Sequence, residues 1–197
     1  MRMYWGDIDK NGQTETIVAT HKKDGYYPLN SFDELSSQLV SLKKKYPSYA
    51  SFAGQQIQDI FTKKQLSETT STLSVHTLQS GFLKNENGKF SFVPFSHDLQ
   101  VSPILSLTVY DFDNDGKEEV LMAGNYFGVK PYQGRLDSFS GALLKDENTV
   151  TLGHDIGLDL SQKSARDISI FTTKGKKYLL VTYNNESAQV YALTNYN

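Results

Sequence analysis

The chain has 197 residues, no cysteine and a formal net charge of −2. That length holds a sizeable core, and the missing cysteines exclude disulfides and thiolate-ligated zinc. The near-neutral balance gives no global field for nucleic acid or an anionic membrane, and no apolar run approaches membrane-spanning length.

In chain order, residues 2–6 read as a short strand that feeds an acidic loop, Asp7-Ile8-Asp9-Lys10-Asn11-Gly12-Gln13-Thr14-Glu15. Oxygen-bearing side chains at alternate positions of a tight turn point at one centre. Gly12 suits the positive φ of the sharp bend, and Glu15 closes the loop with a last carboxylate. Gln13 would offer its backbone carbonyl. The residues before the loop carry no apolar leader segment, so no signal peptide is expected. Entry into the loop almost at once makes a fragment of a longer protein the expectation.

Glu15–His21 is rich in β-branched residues. Asp24-Gly25 is a hairpin turn, and Tyr26–Leu29 is the return strand. The period then changes. Ser31 and Glu34 form a capping box, and Phe32, Leu35, Leu39, Leu42 and Tyr46 fall on one face of a helix that Pro47 ends. Ser48–Ala53 is a helical turn. Gln55–Lys64 is a second short helix burying Ile57, Ile60 and Phe61, and Ser67–Thr72 is a polar connector. Lys43, Lys44 and Lys45 read as the wet last turn of the first helix.

From Leu73 onward the chain reads as β: 73–79, 81–84, 89–95, 104–110, 118–124, 138–144, 149–152, 166–172, 177–183 and 187–193. Abundant Tyr and Phe fit this. Between two of these strands lies the second acidic loop, Asp111-Phe112-Asp113-Asn114-Asp115-Gly116-Lys117-Glu118-Glu119. Asp111, Asp113, Asp115, Lys117 and Glu119 take the places of Asp7, Asp9, Asn11, Gln13 and Glu15. An all-oxygen donor set suits Ca²⁺ better than zinc or copper. The twelfth position is Val18 in one loop and Met122 in the other, and β-prone residues follow, so neither is an EF-hand. Asn11 removes one charge from the first loop, which makes the second the stronger site. Short strands separated by turn signals indicate a sandwich or a propeller. The repeated loops favour the propeller.

No nucleophile elbow, phosphate-binding loop, dinucleotide fingerprint or zinc-protease motif is present. His21, His76, His97 and His154 share no metal spacing. Asn185-Glu186-Ser187 is a sequon of a kind that arises often by chance. The connection 124–137 admits two readings. Tyr126, Phe127 and Tyr132 offer flat surfaces, and Arg135 and Asp137 directional hydrogen bonds, for a bound ligand. Alternatively the same residues plug a space between sheets.

The two acidic loops, the Gly81–Phe90 run and the 124–137 stretch resemble FG-GAP/VCBS-repeat proteins. The segments 111–145 and 166–193 look like the C-terminal end of large Bacteroidetes-type surface proteins that often carry an ASPIC/UnbV module. The resemblance implies an integrin-α-like β-propeller with Ca²⁺ in its blade loops. It also implies an extracellular or cell-surface location and a non-catalytic role in adhesion or in glycan or protein binding. The alternative is an accessory domain of a secreted polysaccharide- or lipid-processing enzyme. The expected fold is mainly β, a single partial propeller of about three antiparallel blades. Residues 1–30 and 73–100 form the first blade, 101–160 the second and 161–197 an incomplete third. The helical insertion spans about 31–66, within the inter-strand stretch 31–72. Such a partial propeller leaves sheet flanks to be covered by the rest of a parent chain, by self-association, or by the helices through Leu35, Leu39 and Ile60.

Overall fold

The computed structural model of the protein describes residues 1–131 and 134–193. Strands take 40% and helices 18%, which makes the fold mainly β, with several antiparallel sheets and none closed. The chain divides into two compact units, Met1–Leu78 and Gln79–Asn197. This boundary falls inside the stretch expected to complete the first blade.

The first unit is a sheet backed by helices. β1 (Arg2–Gly6) pairs with β2 (Glu15–Lys22), β2 with β3 (Gly25–Pro28), and β4 (Thr70–Ser74) takes the other edge of β1. In β2, Glu15, Ile17 and Ala19 alternate inward. Ile17 and Ala19, with Tyr4, meet Leu35, Leu39, Leu42, Tyr46, Ile57, Ile60 and Phe61 in one core. The helical segment therefore caps this sheet through the residues expected of it.

The capping box at α1 (Phe32–Gln38) is present on both sides, Ser31 receiving Glu34 N–H and Glu34 receiving Ser31 N–H. The single helix expected to Tyr46 is broken, however, and restarts as α2 (Ser41–Lys45). Ser36 and Ser37 donate their hydroxyls back to Asp33 and Glu34 carbonyls, and the Gln38 amide donates to Glu34 O. These bonds compete with the helical ladder at its C-terminal end. Leu39 leaves helical geometry with its side chain still buried. Three further turns follow, α3 (Tyr49–Phe52), α4 (Ile57–Ile60) and α5 (Lys63–Thr69), so the expected polar connector is partly helix.

In the second unit, β5 (Gly81–Glu86) and β6 (Lys89–Pro94) form a hairpin of their own. They do not join the sheet of residues 1–30 as expected; the edge of β1 away from β2 is taken by β4. β7 (Ile104–Tyr110), β8 (Glu119–Gly124), β9 (Ala142–Leu144) and β10 (Val150–Leu152) form a four-stranded meander. β11 (Ala165–Thr173), β12 (Lys176–Tyr183) and β13 (Gln189–Ala192) form a three-stranded one. These two open sheets lie within residues 101–160 and 161–197.

β8 is buried on both faces. Leu121 and Ala123 pack with Leu143, Ile168, Leu179 and Val181, while Met122 packs with Leu99, Phe139 and Ala142. Irregularities in β7 and β11 meet side by side: Ser106 Oγ donates to Asp167 Oδ1 at 3.0 Å and accepts from Ile168 N at 3.1 Å. The outer flank of β7–β9 stays open. Phe82, Phe92, Ile104, Leu107 and Leu144 line an apolar groove of about 690 Å³ there.

Candidate metal centre

Each acidic loop is the connection of an antiparallel hairpin. The last pair before the first loop is Gly6 with Glu15, and before the second Tyr110 with Glu119. The closing glutamate is thus the first residue of the return strand, and both glutamates are almost fully buried. A buried carboxylate needs partners. Glu15 Oε2 accepts from Ile8 N at 2.7 Å, and Glu119 Oε2 accepts from Phe112 N at 2.8 Å.

Three further bonds repeat between the two loops, and the second adds one from Asp115 N to Asp113 Oδ1 at 3.2 Å. Asp7 accepts from Asn11 N and Gly12 N at 2.9 Å each, and Asp111 from Asp115 N and Gly116 N at 3.1 Å each. Asn11 Oδ1 accepts from Gln13 N at 2.8 Å, and Asp115 Oδ1 from Lys117 N at the same distance. Positive φ falls at matching positions, 62° at Lys10 and 58° at Asn114, then 88° at both Gly12 and Gly116. Only the asparagine and glycine of these four tolerate that region at little cost.

A carboxylate oxygen that accepts one backbone N–H keeps lone pairs for a further partner. Carboxylate oxygens of Asp111, Asp113, Asp115 and Glu119 lie within 4.8 Å of one another, as do those of Asp7, Asp9 and Glu15. This donor set is all oxygen and fits a hard divalent cation. Asn11 stands fourth in the first loop and holds the same turn with no charge. Gln13 and Lys117 contribute their backbone N–H groups to the side-chain oxygens of Asn11 and Asp115.

One contact had no sequence signal. Lys145, one residue past β9, places Nζ 2.8 Å from Asp113 Oδ2. The ammonium holds the Asp113 carboxyl below the usual carboxylate range, and the same contact raises Lys145. The first loop has no such ion pair among the described residues. A separation of 32 positions hides this pairing from any local pattern.

In the 124–137 connection, Asn125 is buried at φ 81°. Its amide donates to the carbonyls of Phe139, Leu160 and Lys163 and accepts from Phe139 N. Tyr126 and Leu136 pair backbone to backbone, the Arg135 guanidinium lies 4.9 Å from the Phe127 ring centre, and Asp137 O accepts from Gln162 N. Arg135 is therefore engaged by a ring, and Asp137 contributes its main chain. Tyr132 lies outside the described residues.

No family model, curated protein or solved structure matches this chain.

Proposed function

We propose that this chain is a non-catalytic, Ca²⁺-stabilised module of the FG-GAP/VCBS type, part of an exported or cell-surface protein that binds a protein or glycan partner. The observation that supports it most is the set of four hydrogen bonds shared by two acidic loops in separate units. Solvated acidic turns have no reason to reproduce the same four hydrogen bonds and the same two positive-φ positions around converging carboxylates.

Bound Ca²⁺ would supply the positive charge that lets these carboxylates stay close together. The chain supplies the rest. Asp7 and Asp111 hold the turns through paired backbone N–H groups. Glu15 and Glu119 tie each loop to the first residue of a return strand. The meanders 104–152 and 165–192 serve as blades of an incomplete propeller, and the apolar flank of β7–β9 is the face that further chain would cover.

Thermal denaturation of chelator-treated protein tests this reading. Calcium at about a hundred times Kd should add about 2.7 kcal/mol per site to stability. An unchanged melting temperature at millimolar calcium would refute it.

A further inference from the structure

The first unit contains a second constellation that neither loop uses. A cavity of about 370 Å³ opens between its sheet and its helical segment, lined by Arg2, Tyr4, Tyr26, Gln56, Gln58 and Lys63 among others. That volume is in the range of small-molecule sites.

The charges on its wall are unbalanced. Arg2 sits on β1 with its guanidinium 4.1 Å from the centre of the Tyr26 ring. Neither Arg2 nor Lys63 has a carboxylate partner among the described residues. The acid on the wall, Asp24, is already occupied: it accepts from Tyr27 Oη at 2.9 Å and from Gln56 Nε2 at 3.5 Å. Gln56 Oε1 in turn accepts from Gln58 Nε2 at 2.8 Å. A hydrogen-bonded amide network thus forms one wall, and the lining sets two cations, Arg2 and Lys63, against the single Asp24 carboxylate, which leaves it net positive.

We propose that this cavity binds a small hydroxylated carboxylic acid, of the sugar-acid class. Arg2 grips the carboxylate through its planar fork, which suits that group bidentately. Lys63 adds charge from the first turn of α5. Gln58, Ser67 and Thr72 present polar groups to the hydroxyls. The site needs no metal, so it stands apart from the calcium reading.

Galacturonate titrated into the full chain in the presence of chelator, followed by amide chemical shifts, tests this. Saturable shifts are expected around Gly25, Gln58, Lys63 and Thr72. Neutral galactose and inorganic phosphate should each bind at least about tenfold more weakly. Arg2→Met should weaken galacturonate about tenfold or more, and Lys63→Gln several-fold. Lys63 is exposed, so its substitution leaves the fold intact. Absence of saturable shifts, equal response to galactose, preference for phosphate, or binding unchanged in both variants would each overturn the proposal. A calcium-dependent melting temperature with no galacturonate response would leave the loops as metal sites and remove only this inference.

Discussion

The second loop carries a tethered competitor, and removing it should tighten cation binding. Lys145 Nζ lies 2.8 Å from Asp113 Oδ2, an oxygen that the cation would also take. With Lys145 counted, the second loop presents four carboxylates and one ammonium, the same net charge as the three carboxylates of the first. A divalent ion and an ammonium about 4 Å apart in water repel by enough to change an equilibrium constant roughly thirtyfold, and salt reduces this to about tenfold. Lys145→Met keeps the length of the side chain and removes the charge. Calorimetric titration of calcium into chelator-stripped protein should show about a tenfold gain in affinity at one site and none at the other. The gain should shrink as salt is added. Unchanged or weaker binding at both sites would show that the Asp113 carboxylate does not serve the cation.

Other expectations concern stability and the long connection. Leu39→Ala, in the fully buried seam between helices and sheet, should cost about 2–5 kcal/mol by chemical denaturation; a cost well below that would mean the helices do not seal the sheet. A Cβ on Gly6 would lie 1.9 Å from the Thr69 carbonyl oxygen, so Gly6→Ala should displace β4 and cost about 1–3 kcal/mol, read by thermal melting. Burial, then the hydrogen bond to Tyr191, raises the Tyr183 phenol. Its contribution is therefore complete below the unfolded tyrosine value of about 10 and declines as pH rises beyond it. Tyr183→Phe should flatten that alkaline decline, and an unchanged slope would contradict it. Arg135→Ala should lower stability by about 1 kcal/mol through loss of its contact with Phe127 if the connection is a plug; unaltered stability with lost partner binding would make it a recognition loop.

Local chemistry was legible in the sequence. The two loops are specified by spacing within nine residues, and the backbone bonds that shape them are equally local. The same holds for the Ser31–Glu34 capping box and for β7, whose bounds match the expectation. What stayed hidden depends on distant partners. Thr70–Ser74 is polar and mostly exposed, yet it is the strand that closes on β1. Nothing in its own pattern distinguishes an edge strand from a connector, yet it, and not the Gly81–Pro94 hairpin, pairs with β1. The break at Leu39 arises from hydroxyl and amide groups whose competition with the helix depends on packing, since Leu35 and Leu42 stay buried on either side of it. Asn125 read as one polar residue in a glycine-rich stretch, whereas four hydrogen bonds make it the anchor of the connection.

The central claim is that both acidic hairpins are cages for one kind of ion. A crystal structure grown in millimolar calcium tests it most directly. Each loop should hold a single strong density peak, ligated by oxygens of Asp7, Asp9, Asn11 and Glu15 in one and of Asp111, Asp113, Asp115 and Glu119 in the other, with Lys145 turned away from Asp113. Water alone in both loops, with Lys145 still on Asp113, would contradict it.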